Sequence, residues 1–296
     1  MPHRDIIVIG GGPAGAATAI RAARHGVNVS VFEKGQHGRD KVCGDGLTPR
    51  AVGALQELDI DLGDAHCIQG LRMIAGKQVR ELDWPETSRF PGFGAVWPRR
   101  QLDTALMDAA CEAGAETIYG TEVLPTVAGN GRCVGVDTPE GPWTADLVVL
   151  AAGAQGQAAR MLGAERDPAE PYGLAIRTYA ETPRHADAHI EACLTLRDES
   201  DATVPGYGWL FPAGDGTVNI GCGALSTMKG FKSLNLNKLC DSYRKQVRDA
   251  WDLGPYLERP RAWRLPMSAQ KRHGPGWVAV GDAAGLVNPM NGEGID

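Results

Sequence analysis

The feature that most constrains this chain is a glycine fingerprint at its start. Asp5–Ile9 is an apolar run without alternation, as expected of a parallel strand covered on both faces. Gly10-x-Gly12-x-x-Gly15 follows at once, and Ala14–His25 reads as a small-residue helix stopped by Gly26. Val27–Phe32 is a second strand, closed by Glu33. The first glycine permits the tight turn, the second lets a pyrophosphate approach the backbone, and the third lets helix and strand pack closely. The helix N-terminus then offers N–H groups and a partial positive charge to the phosphates. Glu33 lies 18 residues after Gly15, where an acid accepts from a ribose hydroxyl. That carboxylate admits FAD or NAD and disfavours NADP, whose added phosphate would meet a like charge.

Composition narrows the function classes. The chain has 296 residues, 43% of them hydrophobic and 22% charged, which fits a globular protein and not a disordered one. A net charge of -6 argues against a nucleic-acid partner, which is held mainly by Lys and Arg. The seven cysteines are odd in number and form no C-x-x-C pair, so neither a disulfide framework nor a metal site is expected. Reduced thiols point to a cytoplasmic location. The N-terminus lacks a secretory apolar region, and no run is long enough to span a bilayer.

Further along, Thr48-Pro49 reads as a helix start, Arg100–Ala113 as a helix closed by Gly114, and Asp146–Ala151 as another buried strand. From about Pro171 the pattern turns to sheet: Leu174–Thr182, His189–Leu196, Tyr207–Phe211 and Thr217–Gly223. Asn235–Trp251 is the clearest helix, with Leu236, Leu239, Cys240, Tyr243 and Val247 on one face. Trp277–Val280 is a short strand that runs into Gly281-Asp282-Ala-Ala-Gly285. The nucleotide-type segments thus lie at both ends. The expected division is a nucleotide domain at 1–170, a strand-rich substrate domain at 171–270 and a return to the first at 271–296. The strands around 70–98 are expected to lean towards the substrate side.

With Arg99-x-x-Leu102-Asp103 opening a helix and Gly281-Asp282 ending a strand, the chain resembles flavoproteins of the glutathione-reductase and aromatic-hydroxylase fold. That resemblance implies an α/β fold: a Rossmann-type FAD-binding domain interrupted by a sheet-based substrate domain. In such proteins the late aspartate, here Asp282, binds the ribityl chain, and the arginine near position 99 lies by the flavin phosphates. The resemblance narrows with Asp40-Lys-Val-Cys43-Gly44-Asp-Gly46-Leu47, with Pro205-Gly-Tyr207-Gly-Trp209-Leu-Phe211-Pro212 and with Pro289-Met-Asn-Gly292-Glu-Gly294. These segments are similar to the geranylgeranyl reductase family of flavoenzymes, which saturate isolated double bonds in prenyl chains. The extended forms are most similar to its menaquinone reductase branch.

The resemblance implies FAD as cofactor, a lipid-soluble prenyl substrate and peripheral contact with the inner membrane face. It implies that Cys43 and Gly44 face the isoalloxazine ring, with Cys43 a candidate proton donor or gate. Tyr207, Trp209, Phe211 and Pro289 border the prenyl cavity. Gly10, Gly12, Pro13, Ala14, Gly15, Glu33, Lys34, Gly46, Arg99, Val123, Gly281, Asp282, Gly292, Gly294 and Ile295 complete the cofactor-binding candidates. On their own, the same residues have plainer readings. Cys43 reads as a small buried hydrophobe, Arg99 as a solvated charge, Asp282 as a helix cap, and Tyr207 and Trp209 as core aromatics on one strand face.

Two departures stand out. Ala152-Gly153 replaces the Asp-Gly pair of many relatives, and the helix that Glu293 and Gly294 introduce does not follow, so the sequence reads as cut short at its C-terminus. No second G-x-G-x-x-G marks a site for NADPH, which leaves NADPH or a protein as electron donor. The rival readings are a flavin-dependent monooxygenase of the same fold and a non-catalytic FAD-binding fragment. A halogenase is disfavoured, because of the two tryptophans of its W-x-W-x-I-P motif only Trp209 is present.

Overall fold

A computed structural model describes residues 1–154 and 156–295. The chain forms two compact units. The first comprises Met1–Asp40, Arg100–Glu170 and Leu265–Ile295, and the second Lys41–Arg99 and Pro171–Arg264. The second therefore begins at Lys41 rather than with the strands near residue 70.

In the first unit the strand order is His273–Gly274, Trp277–Ala279, Gly141–Leu150, His3–Ile9, Val29–Glu33, Glu116–Tyr119. Four of these five pairings are parallel, and only His273–Gly274 with Trp277–Ala279 is antiparallel. This explains why the His3 strand ends in a continuous apolar run: Ile7, Val8 and Ile9 are all buried. Two further strands, Leu124–Val127 and Cys133–Thr138, fold back on Gly141–Leu150 as an antiparallel meander. The helix Pro13–Arg24 has proline at its first position, where a missing N–H costs nothing, and buries Gly15, Ala16, Ala19 and Ile20. Small residues on that face let it lie close to the sheet.

The second unit is built on a seven-stranded sheet in the order Arg261–Pro266, Tyr172–Glu181, Thr217–Leu225, Gly206–Pro212, His189–Cys193, Gly70–Ala75, Gln78–Asp83. The excursion near residue 70 belongs to this sheet because Gly70–Ala75 pairs parallel with His189–Cys193. A small sheet of Gly46–Leu47, Gly94–Val96 and His66–Ile68 accompanies it. The helix Leu236–Trp251 covers one face through Leu239, Cys240, Tyr243, Val247 and Trp251. Asn235 caps it by accepting from the Lys238 amide. Gly208 leaves the room that Tyr243 fills, since a Cβ there would lie 2.4 Å from the ring. Among the described residues no helix is long and apolar enough to cross a membrane.

Arg72 and Asp187 tie the parallel pair together. Arg72 donates two hydrogen bonds to the Asp187 carboxylate, at 3.0 and 3.1 Å, and Arg184 donates a third. Burial alone would raise the Asp187 carboxyl, but the hydrogen bonds from Arg72 and Arg184 outweigh it and hold the group at about 2. A carboxyl lowered on folding contributes stability above its unfolded value and loses it as pH falls through the folded one. Asp187→Asn should therefore lower Tm at neutral pH and flatten the fall of Tm on acidification from about pH 4 to about pH 2. Thermal melts across that range check it; equal slopes for parent and variant would contradict it.

Candidate functional site

The first unit gathers the glycine fingerprint into a turn of backbone contacts. Gly10 has φ +107°, and a Cβ there would stand 2.4 Å from the Ala151 carbonyl oxygen. A Cβ on Gly15 would stand 2.0 Å from the carbonyl oxygen of Gly10. Helix, turn and the end of the Gly141–Leu150 strand are thus in direct contact. Gly12 differs, since the nearest atom to its Cβ position is Arg39 Nη2 at 3.8 Å. Gly12 supplies no side-chain cap, and the first turn of the helix, which begins with Pro13 and Ala14, holds no acid. Its N–H groups are therefore available to an anion.

The late motif closes on this turn. Gly281 has φ +57°, and its Cβ position lies 2.8 Å from Ala14 Cβ. The motif is a short 3-10 helix, Gly281–Ala284, with Asp282 inside it rather than capping an α-helix. A Cβ on Gly294 would lie 3.4 Å from Asp282 Oδ1. Residues 291–295 are irregular chain after a turn, with Asn291 Oδ1 accepting from the Glu293 amide. Gly10, Gly12, Ala14, Gly15, Gly281, Asp282 and Gly294 thus meet at one end of the parallel sheet. Gly292 and Ile295 flank Gly294 in the chain, Gly292 donating its amide to the Asn288 carbonyl.

Glu33 is buried at the end of its strand. Its oxygens accept from the amides of Gly11 (2.9 Å) and Gly35 (2.8 Å). Arg39 adds Nη2 at 3.1 Å and Nε at 3.0 Å, while its Nη1 donates to Asp103 at 2.9 Å. Burial pushes the Glu33 carboxyl up, but Arg39 and the two amides outweigh it and hold it below its ordinary value. Glu33 is thus a carboxylate at neutral pH, as acceptance from a hydroxyl requires. Lys34 is exposed beside it. Two candidates stand apart from this cluster. The Val123 side chain is 3% exposed and packed in the hydrophobic core, which leaves only its backbone to meet a ligand. Pro289 belongs to the first unit and is exposed, whereas the aromatic residues grouped with it lie in the second.

The second unit brings together Cys43, Gly44, Gly46, Tyr207, Trp209 and Phe211. Alternation along Gly206–Pro212 puts the three aromatics on one face, opposite the helix-facing Gly208 and Leu210. Ring centroids of Tyr207 and Trp209 lie 5.8 Å apart, and those of Trp209 and Phe211 lie 6.1 Å apart. The loop 44–46 packs on this row. A Cβ on Gly44 would stand 3.1 Å from the Phe211 ring and 3.4 Å from Trp209 Nε1, and one on Gly46 would stand 2.9 Å from Phe211. Both glycines are needed because the rings occupy the space of a side chain. Cys43 is half-buried and its thiol is free.

Four residues that sequence reasoning did not place in the site hold this loop. Asp45, 1% exposed and at φ +65°, accepts from Tyr179 Oη, from Asn219 Nδ2 at 2.8 Å and from the Arg99 amide at 3.2 Å. Asn219 also donates to the Cys43 carbonyl at 2.9 Å and accepts from Trp209 Nε1 at 3.0 Å. Arg177 stacks over the Tyr179 ring at 4.7 Å, pairs with Glu258 and donates to the Lys41 carbonyl. Arg99 itself is buried rather than solvated. Asp45 sat inside a quoted motif, and its unusual backbone conformation had no sequence signal other than the short Asx side chain that tolerates it. Asn219, Tyr179 and Arg177 become visible only once the strands are paired.

Comparison with known proteins extends this geometry. Residues 4–196 match the family model described as pyridine nucleotide-disulphide oxidoreductase. The chain is 41% identical to a menaquinone reductase of Mycolicibacterium smegmatis over 99% of its own length and 73% of that protein's. It is 29% identical to digeranylgeranylglycerophospholipid reductase 1 of Methanopyrus kandleri, over 99% of this chain and 76% of that one. Among solved structures, a geranylgeranyl bacteriochlorophyll reductase-like protein of Thermoplasma acidophilum superposes with TM-score 0.83 at 24% identity, covering 100% of this chain and 75% of that one. The flavin-dependent halogenase CmlS shares the fold at TM-score 0.80 and 19% identity, covering 100% and 56%.

Replacing Glu33 by Gln keeps its shape and removes the charge that Arg39 meets and that the expected ribose hydroxyl would meet. The variant should fold, by circular dichroism, and bind FAD about tenfold more weakly. Titration of apoprotein with FAD, followed by flavin fluorescence, measures this; unchanged affinity would contradict the role of Glu33.

Proposed function

Because the chain belongs to the FAD-dependent geranylgeranyl reductase family, on its menaquinone reductase branch, we propose that it saturates an isolated double bond in a prenyl chain, one isoprene unit of menaquinone. The observation that carries the reading is the 41% identity to a menaquinone reductase, sustained over 99% of the chain.

The residues present fit FAD. The crowded Gly10–Gly15 turn leaves Gly12 open in front of an uncapped helix N-terminus, which suits a pyrophosphate. Glu33 suits the adenosine ribose. Asp282, beside Gly294 and next in the chain to the Gly281 that meets Ala14, suits the ribityl chain, and the backbone of Gly292–Ile295 suits the flavin ring. When bound, FAD supplies the redox chemistry, a hydride from N5 of its reduced form.

The rest falls to the protein. An isolated trisubstituted alkene is a poor hydride acceptor, so the site has to hold it in line, keep water away and present a proton. Tyr207, Trp209 and Phe211 form an apolar wall for the prenyl chain. The Trp209 N–H is already satisfied by Asn219, so that wall presents no unpaired polar atom at its centre. Gly44 and Gly46 let the loop that carries Cys43 pack against this row of rings.

A substrate confined to the bilayer calls for a cytoplasmic protein with peripheral contact at the inner membrane face. This part of the reading rests on the substrate alone. The protein should cosediment with menaquinone-containing vesicles of bacterial lipid, and complete retention in the supernatant would count against such contact.

The reaction is tested by reducing the FAD-loaded protein with dithionite without oxygen and adding menaquinone. The expected product is heavier by two hydrogens, with both in the side chain. Recovery of unchanged menaquinone by mass spectrometry would overturn the assignment. Incorporation of labelled oxygen in an aerobic reaction would favour the monooxygenase instead.

A further inference from the structure

Both edges of the seven-stranded sheet expose large apolar side chains, but they differ in charge. At the Gln78–Asp83 edge Val79 is 48% and Leu82 50% exposed, and residues 77–83 balance Lys77 and Arg80 against Glu81 and Asp83. At the Arg261–Pro266 edge Leu257 is 48% and Trp263 38% exposed, and residues 257–264 set Arg259, Arg261 and Arg264 against a single acid, Glu258. Glu258 pairs with the buried Arg177, so its charge is already met from within the unit. A second cationic segment lies beside this edge. Residues 228–237, which lead into the helix Leu236–Trp251, carry Lys229 and Lys232 and no acid. One groove of about 500 Å³ joins the two segments: Leu174 and Ile176 line it from the sheet, Lys232 and Leu234 from the second segment, and Pro260 and Ala262 from the edge. Aromatic rings sit among the cations. Arg264 lies over the Tyr172 ring at 5.0 Å, Tyr172 meets Phe231 edge-on at 5.6 Å, and Lys41 lies 5.7 Å from the Trp263 ring. The two segments together hold five cations and one acid in a chain whose net charge is -6. Neither is a polybasic run by itself, and the fold brings them together.

We propose that this edge is the surface by which the protein docks on an anionic lipid bilayer, with Leu257 and Trp263 entering the headgroup layer and Lys229, Lys232, Arg259 and Arg261 meeting lipid phosphates. The choice of a lipid partner rests on the prenyl-substrate reading; the choice of this edge rests on its charge. Alternation puts Arg261 and Trp263 on one face of the strand and Ala262 and Arg264 on the other, so a bilayer that meets both sets does so edge-on. Tryptophan suits the headgroup layer because its ring is apolar and its N–H stays wet. Lysine and arginine stems can lie along apolar chains while their heads reach phosphate. Apolar contact and attraction to anionic lipid add together in such binding. The opposite edge offers the apolar contact without net positive charge, and an anionic surface would gain nothing there from electrostatics.

Cosedimentation with vesicles free of menaquinone tests the surface by itself. The FAD-loaded protein should bind vesicles of mixed phosphatidylglycerol and phosphatidylcholine, and bind pure phosphatidylcholine roughly tenfold more weakly or worse, despite its net negative charge. Lys229→Gln, Lys232→Gln and Arg259→Gln combined should weaken binding to the anionic vesicles about a hundredfold. Raised salt should weaken the parent more than this triple variant. Lys77→Gln with Arg80→Gln, at the opposite edge, should bind as the parent does. Hydrogen exchange followed by mass spectrometry should show vesicles protecting amides in residues 228–237 and 257–264. No binding to the anionic vesicles, equal losses from the two sets of variants, or protection confined to other segments would overturn the proposal. Failure to bind vesicles while detergent-dispersed menaquinone is reduced overturns the docking edge and leaves the prenyl reading standing. Vesicle binding through this edge without any reduction of menaquinone supports the edge and counts against the prenyl reading.

Discussion

Backbone contact at Gly10 is the constraint on which the cofactor-binding unit depends. The turn after the first strand runs so close to Ala151, and the helix so close to the turn, that no side chain fits at Gly10 or Gly15. That closeness aims the helix N-terminus past Gly12, where phosphate can lie against bare amides. The same crowding recurs where Gly281 meets Ala14, so the late motif returns to the fingerprint across more than two hundred residues of chain. In the proposed mode of flavin binding, close backbone approach does most of the shaping, and Glu33 and Asp282 are the polar groups placed to add specificity.

The second unit solves a different problem, fixing a loop that contains two glycines and no regular structure beyond the Gly46–Leu47 pairing. Asn219 does much of this. Its amide makes two donations and one acceptance, to Cys43, Asp45 and Trp209, so one side chain couples loop, acid and aromatic wall. A buried amide with these partners satisfied is inexpensive, but one left without them would carry the full desolvation cost. This explains why the loop can be glycine-rich and still hold its place.

Much of this was legible in the sequence, and what was not has a common cause. The glycine fingerprint, the terminating Glu33 and the period-two aromatics Tyr207, Trp209 and Phe211 are local patterns, and steric rules act on neighbours in the chain. The α/β architecture and the FAD-dependent family followed from them. Asp45 meets Tyr179 and Asn219 across separations of 134 and 174 residues, so no spacing rule reaches those contacts. The placement of Lys41–Arg99 likewise depended on a parallel pairing between Gly70–Ala75 and His189–Cys193, which sequence pattern alone does not announce. Val123 has its side chain in the core, which leaves its backbone as the part that could meet a cofactor.

The proposed reaction consumes reduced FAD at a side-chain double bond. The most direct measurement is the stoichiometry of a single anaerobic turnover, with flavin reoxidation followed by absorbance and the quinone side chain by tandem mass spectrometry. One side-chain double bond lost per flavin reoxidised, with the ring and its substituents intact, is the predicted result. Flavin reoxidised with the side chain unchanged and the quinone ring reduced to its hydroquinone would contradict it.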